Sequence, residues 1–218
     1  MYKSLQTNFN SWGINSLLKS QPGLSLQPSS AEEMVVSGEY QFTAKQDEHE
    51  EISDCYDVKI QIPDDFPKSV PTVTELGGRI PKTFHTQPDD STLCLGSPAR
   101  LMLELKKAPN LPAFIEKCVV PYLYGYSHWE KCGALPQGEL LHGRQGVLED
   151  YCSLFKVDDK KKCLKMISLA CMQKRVANKK LCFCGSDRRL GKCHNRKVNH
   201  LRKQLGRKWL SEEYKSLC

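Results

Sequence analysis

Two runs of alternating apolar and polar residues, separated by a short acidic segment, most constrain the fold of this chain. In "CYDVKIQIP", residues 55–63, every second residue from Tyr56 to Ile62 is apolar, and this period of two is typical of a half-buried strand. The run "VVSGEYQFTAK", residues 35–45, alternates similarly, and the acidic "QDEHEEISD" between the runs predicts a hairpin loop. Two prolines in "DDFPKSVPTVTEL", residues 64–76, indicate an extended edge segment. The sequence therefore predicts a short antiparallel meander.

Helical patterns flank the predicted strands on both sides. "SWGINSLLKS", residues 11–20, predicts a short amphipathic helix. Residues 111–129 predict a longer one, which Pro121 should kink or end. Further helices follow, one of them with Asp158 or Asp159 as its N-cap. A helix, a meander, an irregular loop and then several helices predict the α+β class.

Charge is distributed unevenly along the 218 residues. Residues 160–218 carry 18 Lys and Arg against three Asp and Glu, a charge of +15, whereas residues 1–159 carry 14 against 22, a charge of −8. This asymmetry predicts two parts with different partners, a domain over 1–158 and a basic helical extension over 159–218. Such positive charge attracts an acidic protein or a nucleic acid, although lysines that only solvate helix faces would give the same composition.

The targeting and cysteine patterns favour a reducing compartment. No stretch approaches the roughly 18 apolar residues of a membrane span, and the N-terminus lacks the charged and apolar regions of a signal sequence. We therefore expect a cytoplasmic protein with no membrane partner. The chain has 11 cysteines, and in a reducing compartment metal binding and catalysis are better uses for them than disulfides. Most of the isolated cysteines read as small buried hydrophobes.

A cysteine-rich segment near the C-terminus predicts a metal site. "LCFCGSDRRLGKCHN", residues 181–195, holds three cysteines and a histidine, the soft ligands that suit a tetrahedral zinc ion. The Cys-x-Cys-Gly-Ser start and Lys-Cys-His end resemble the SEC-C-type zinc motif. That resemblance implies a docking module over about 180–198 with one structural Zn²⁺ per chain and no open coordination site. The candidate ligands are Cys182, Cys184, Cys193 and His194.

Residues 56–98 resemble the centre of a ubiquitin-conjugating enzyme. The parts that carry the resemblance are "YDVKIQIP", "DDFPKSVPTV", "FHTQ" and "TLCLG", in that order. The resemblance extends over roughly 14–157 and implies a UBC-like fold, with an N-terminal helix, an antiparallel meander and C-terminal helices. Where the family has His-Pro-Asn, this chain has His-Thr-Gln. In lacking that asparagine it looks more like the bacterial members found in antiphage-defence operons.

The resemblance implies a role for Cys94. In this family the cysteine accepts the C-terminus of a ubiquitin-like protein as a thioester, which then passes to a target amine, because a thiolate is a strong nucleophile and a thioester stays reactive to amines. The implied partners are an activating-enzyme-like protein, a ubiquitin-like modifier and a target such as a signalling nucleotidyltransferase.

Several polar residues are candidates for the role that the family asparagine has at the site. Gln87 is its positional counterpart, Asp89 and Asp90 could deprotonate or steer an amine, and His85 is expected to hold its loop. Two later histidines lie in a Gly-rich stretch that could fold over the groove. The candidate catalytic residues are Cys94, His85, Gln87, Asp89, Asp90, His128 and His142.

Three other readings compete with the conjugating enzyme. The chain could be a catalytically idle adaptor of the same fold with a zinc-dependent docking tail, although the presence of Cys94 favours an enzyme. It could be a Cys/His hydrolase that pairs Cys94 with His128 or His142, but such enzymes usually place the cysteine at a helix N-terminus. The basic tail could itself be the main function, in nucleic-acid binding, although it lacks interleaved aromatic residues for base stacking.

Overall fold

The structure, a computed structural model, describes residues 9–28, 30, 33–87, 89–136 and 143–218. Among these residues, no helix combines the length and the apolar content that crossing a membrane would require.

A four-stranded antiparallel sheet forms the centre of the first half of the chain. Its strands are β1 (Leu24–Leu26), β2 (Glu33–Ala44), β3 (Ile52–Pro63) and β4 (Thr72–Glu75). They pair in chain order, each antiparallel to the next. The predicted meander and the α+β class are confirmed, and the proline-flanked segment supplies the edge strand β4.

Alternation fixes which face of the sheet is buried. The apolar residues of β3 from Tyr56 to Ile62 are each at most 2% exposed. They lie opposite apolar residues of β2, with Tyr40 facing Tyr56 and Val36 facing Ile60. A shift of one residue would turn this whole set towards solvent, so burial specifies the register.

Gly38 lets β1 approach β2 closely. Its φ of 128° lies in a region that L side chains rarely adopt, and a Cβ there would stand 2.2 Å from the carbonyl oxygen of Gly23. Only glycine fits this crossing, which explains why the alternation of β2 pauses at that position.

The helices of the first half include one wide turn. They are α1 (Ile14–Ser20), α2 (Pro98–Lys107), α3 (Leu111–Phe114) and α4 (Val120–Cys132), with a π-helical turn, Ile115–Val119, between α3 and α4. Pro121 was expected to kink or end this helix. It does not end it, because the chain stays helical on both sides of Pro121. The Val120 amide bonds back to the Ile115 carbonyl, and the following Pro121 lies in the first turn of α4, where its missing N–H is tolerated.

Helices also make up the C-terminal part of the chain. They are α5 (Gly143–Phe155), α6 (Lys160–Cys171), α7 (Lys174–Ala177), α8 (Asn195–Leu205) and α9 (Arg207–Leu217), with a 3₁₀ turn at Leu190–Lys192. The predicted N-cap is confirmed at Asp159, whose side chain accepts a 2.8 Å hydrogen bond from the Lys162 amide.

The described residues divide into two compact units. The first comprises residues 9–96 and 104–136, and the second comprises residues 97–103 and 143–218. Within the second unit, α5 packs on α6, so the helix that ends at Phe155 shares a core with the basic C-terminal helices. The domain boundary expected after residue 158 stays a prediction.

Candidate functional site

Cys94 is exposed on a short extended segment that backbone hydrogen bonds tie down on both sides. The amide of Leu93 donates to the carbonyl of Val73 in β4 at 2.7 Å, and the amide of Cys94 donates to the carbonyl of His85 at 2.8 Å. The Leu93 side chain is buried, with 6% of its surface exposed. The sheet edge therefore fixes the backbone of Cys94 while its thiol faces solvent.

The loop before Cys94 closes on itself through a tight turn. The Gln87 amide donates to the Thr92 carbonyl at 2.8 Å, and the Ser91 amide donates to the Gln87 carbonyl at 3.0 Å. Ser91 has a φ of 60° and His85 a φ of 42°, both left-handed. Pro88, between these contacts, lies outside the described residues.

The candidate carboxylates in this turn differ in what they contact. Asp90 accepts hydrogen bonds from the amide of Thr92 at 2.9 Å and from its hydroxyl at 2.7 Å. These two bonds from Thr92 lower the pKa of the Asp90 carboxyl. Asp89 is exposed at the tip of the turn. Asp90 thus braces the loop, and Asp89 is exposed beside it.

An aromatic cluster supports the loop from α4. The Tyr122 hydroxyl donates to the Phe84 carbonyl at 2.9 Å, and the Phe84 ring packs edge-on against Tyr126 with centroids 4.7 Å apart. Burial is the largest cause of the raised pKa of the Tyr122 phenol, and the proximity of Cys94 adds to it. Tyr122 therefore stays protonated beside Cys94, as a hydrogen-bond donor that holds the loop in place.

The two later histidines do not join this site in the described structure. His128 is 7% exposed, its Nδ1 lies 2.9 Å from the carbonyl oxygen of Ala134, and its ring packs edge-on against His49 at 4.8 Å. It therefore lies beside the turn that joins β2 and β3. Of the candidate histidines, the structure brings His85 to the backbone of Cys94. His142 lies outside the described residues.

A groove of about 280 Å³ opens beside the loop that precedes Cys94. Thr86, Ser91 and Leu93 come from the chain around the loop, and Leu76, which follows β4, is half exposed. Leu93, the neighbour of Cys94 in the chain, lines this groove, and Cys94 itself is not among its lining residues. The groove is lined by Glu75, Leu76, Gly78, Ile80, Pro81, Lys82, Thr86, Ser91 and Leu93.

An ionic network joins β3 and α4 to the segment before the loop. The Arg79 guanidinium donates to both carboxylate oxygens of Asp54 at 2.8 Å and forms a 2.6 Å ion pair with Glu130. Ser127 donates to Asp54 at 2.7 Å. Burial alone would raise the pKa of Asp54, but the hydrogen bonds from Arg79 and Ser127 outweigh it and lower that pKa to about 2.

The predicted metal ligands converge in the second unit. The Sγ atoms of Cys184 and Cys193 lie 3.6 Å apart, and His194 Nδ1 lies 3.3 Å from Cys182 Sγ and 3.2 Å from Cys193 Sγ. All four ligand atoms are within 4.8 Å of one another. These four residues, the knuckle cluster, could therefore hold a metal ion.

The knuckle backbone explains how ligands nine residues apart meet. The amide of Leu190 donates to the carbonyl of Lys180 at 2.8 Å, and the amide of Cys182 donates to that of Arg188 at 2.9 Å. Gly185 turns the chain between them with a φ of 80°. A hydrogen bond with Ser186 lowers the pKa of the Cys184 thiol to about 6, which favours the thiolate that binds metals.

Neither protein-family models, nor curated proteins, nor solved structures gave a match to this chain.

The sequence interpretation missed the residues that support the Cys94 loop from α4. Tyr122 and Tyr126 are four residues apart in "YLYGYSHW", so a helix places them on one face, and that spacing was a readable signal. The ion pairs of Arg79 left no local signal, because Asp54 and Glu130 are 25 and 51 residues away in the sequence.

Proposed function

We propose that this protein is a ubiquitin-conjugating-like enzyme with a UBC-like fold and that Cys94 carries a ubiquitin-like protein as a thioester. The observation that carries the proposal is the exposed thiol on a segment bonded to β4 through Leu93 and to the preceding loop through His85. The order of elements, a helix, a four-stranded meander, a loop and then helices, also agrees with the fold that the sequence resemblance implies.

The proposed chemistry has two acyl transfers. The Cys94 thiolate attacks the activated C-terminal carbonyl of the modifier, a carbon–sulfur bond forms, and the activating group leaves as AMP or as the thiol of the activating enzyme. A target amine then attacks the same carbonyl, an amide forms, and Cys94 leaves as a thiolate while the amine gives up a proton. Both steps need an oriented acyl group more than a strong base.

The surroundings of Cys94 suit that requirement. Its fixed backbone orients the thioester, and the groove beside Leu93 offers room for the extended C-terminus of the modifier. Asp89 is exposed close to the site and is our candidate for steering the incoming amine. Gln87 occupies the position of the family asparagine, and we propose that its side chain supports the oxyanion.

A gel assay tests the thioester. The protein is incubated with ATP, an activating-enzyme-like protein and a ubiquitin-like modifier encoded beside its gene, and is then run under non-reducing conditions. We expect an adduct that dithiothreitol removes, that Cys94→Ala abolishes and that Cys94→Ser replaces with a more stable oxyester. Cys132→Ala is the matched control, because Cys132 is also exposed. An adduct that survives Cys94→Ala, or none with the cognate partners, would overturn the proposal.

We also propose that the knuckle cluster holds one structural zinc ion. Two sulfurs of a tetrahedral zinc site with Zn–S bonds of about 2.3 Å stand about 3.8 Å apart, close to the 3.6 Å between Cys184 and Cys193. With four protein ligands the ion would hold the fold and leave no position for a substrate. Elemental analysis should find about one zinc per chain, lost in Cys184→Ser and kept in Cys218→Ser. Another metal, or none, in the purified chain would contradict this.

The pathway is proposed from the sequence resemblance. A bacterial antiphage-defence conjugation system in the cytoplasm would supply the activating enzyme and the modifier, and a signalling nucleotidyltransferase is a candidate target. Mass spectrometry of conjugates formed in cells that carry the neighbouring genes would identify the modified protein.

A further inference from the structure

The stretch from Lys174 to Lys208 is strongly basic and exposed. It contains 13 Lys and Arg residues and a single acidic residue, Asp187. Eleven of the 13 basic side chains are exposed. None of them forms an ion pair with a carboxylate among the described residues. We call this stretch, residues 174–208, the basic segment.

The two basic side chains that are not fully exposed serve the fold itself. Arg202 donates from its guanidinium to the carbonyls of Ala170 and Leu169 at 3.0 and 2.9 Å, which satisfies the C-terminal end of α6. Lys197 donates to the carbonyl of Lys156 at 2.7 Å. Of the exposed cations, Arg207 donates to the carbonyl of Cys171 at 3.1 Å and Arg188 to the Cys193 sulfur at 3.5 Å, so internal hydrogen bonds occupy only part of this positive charge.

The fold gathers these cations instead of spacing them apart. Backbone hydrogen bonds join Leu190 to Lys180 at 2.8 Å and Gly191 to Asn178 at 3.1 Å, so the lysines that follow α7 lie beside the arginines of the knuckle. Like charges brought together in this way repel one another and lower the stability of the compact state. A polyanion that binds here would relieve that repulsion.

Helix α8 extends the same charge along one exposed face. Arg196, His200 and Lys203 are exposed and lie at positions i, i+4 and i+7, which share a helix face. The opposite face is buried through Val198 and Leu201. The helix thus presents a row of donors about 10 Å long.

We propose that the basic segment binds the phosphate backbone of double-stranded nucleic acid without reading its sequence. Phosphate contacts by Lys and Arg give affinity independent of sequence. Phe183 is the one Phe, Tyr or Trp of the segment and is 5% exposed, so the segment exposes no phenylalanine, tyrosine or tryptophan ring on which the bases of a single strand could stack. The exposed apolar residues, Val176 and Leu181, belong to a class that is under-represented in the hot spots of protein interfaces. A duplex is therefore favoured over an acidic protein.

Fluorescence anisotropy of the full chain with labelled 20-base-pair duplexes tests this surface. We expect DNA and RNA duplexes of unrelated sequence to bind, with affinity falling on the order of 10³-fold between 50 and 200 mM salt if six or more phosphates are contacted. Arg196→Gln with Lys203→Gln should lower the slope of log K against log salt by about 2. The matched control, Lys68→Gln with Lys117→Gln, removes two exposed lysines from the first unit and should bind as the wild type does.

Circular dichroism and metal content show whether each variant stays folded. Cys94→Ala should bind duplexes unchanged, so a failure of the proposed thioester chemistry and a failure of this surface are told apart. The proposal is overturned if no duplex binds at 50 mM salt, if the folded Arg196→Gln, Lys203→Gln variant keeps the wild-type slope, or if polyglutamate of equal charge competes better than unlabelled duplex.

Discussion

Single residues hold the segment before the Cys94 loop in position, and Asp54 is the clearest case. It lies in β3, yet its partners Arg79 and Ser127 belong to the segment before the loop and to α4. Because hydrogen bonding to these partners lowers the pKa of Asp54 from 3.8 to about 2, the ionised carboxylate stabilises the folded state. That contribution is present above pH 4 and is lost as the pH falls towards 2.

Replacement of this carboxylate should therefore cost stability in a pH-dependent way. We expect Asp54→Asn to lower the thermal unfolding midpoint by a few degrees at pH 7, with the difference from wild type closing as the pH falls from 4 towards 2. Asp57→Asn is the control, since Asp57 is exposed and faces Glu39 across the sheet, where like charges repel. A difference that is the same at pH 7 and at pH 2.5 would show that the charge of Asp54 is not what stabilises the network.

Asp90 offers a second test at this scale, because its two hydrogen bonds to Thr92 brace the turn before Cys94. An asparagine keeps an acceptor oxygen for both bonds, whereas an alanine keeps none. We expect Asp90→Ala to slow discharge of the Cys94 thioester to an amine several-fold and Asp90→Asn to restore most of the rate. Equal losses in the two variants in single-turnover discharge assays would instead indicate that the Asp90 charge acts on the amine.

Residue-level prediction succeeded where the signal was local. The period-two run of β3 could be read from the sequence, and the structure buries every apolar residue from Tyr56 to Ile62 as expected. The support from Tyr122 could not be assigned, because it depends on how α4 crosses the loop at Phe84, 38 residues earlier.

At the level of elements, the sequence pattern predicted the strands and a helix cap, but it did not predict the path of the helix around Pro121. Period-two burial and the Asp159 cap are set by neighbours in sequence. The π-helical turn, Ile115–Val119, adds one residue to a turn just before the proline. Propensity does not encode such a turn, which is rare and occurs mostly as a single turn within α-helices.

The knuckle is an element whose structure should depend on the metal ion that we propose it holds. The amides of Leu190 and Gly191 bond to the carbonyls of Lys180 and Asn178 across the loop that brings the four ligands together, so loss of a bound ion should free them. We expect a tight chelator, or Cys184→Ser, to abolish hydrogen-exchange protection at Leu190 and Gly191 while the amides that pair β2 with β3 keep theirs. Unchanged protection at Leu190 in a chain shown to be metal-free would mean that the knuckle folds without the ion.

For the whole molecule, charge and packing divide the chain differently. Charge alone separates a basic tail after residue 159, because the net count of charged residues changes sign there. Packing groups α5 with that tail: Leu148, Tyr151 and Phe155 of α5 are at most 8% exposed, and the Tyr151 hydroxyl donates to Glu213 of α9 at 2.6 Å. Such long-range contacts leave no trace in local composition, which is why the sequence could not reveal this grouping.

A truncation distinguishes the two divisions. A chain of residues 1–158 keeps α5 but removes α6 and α9, so the α5 face of Leu148, Tyr151 and Phe155 loses its cover, and each such side chain contributes roughly 1.5–3 kcal/mol when buried. We expect this fragment to bind the dye ANS more strongly than the full chain and to unfold at a lower temperature. Introducing Leu148→Gln and Phe155→Gln into the fragment should reduce the dye binding, since the apolar face would then be gone. A fragment that binds no more dye than the full chain would show that residue 158 ends an independent domain and that α5 belongs with the sheet.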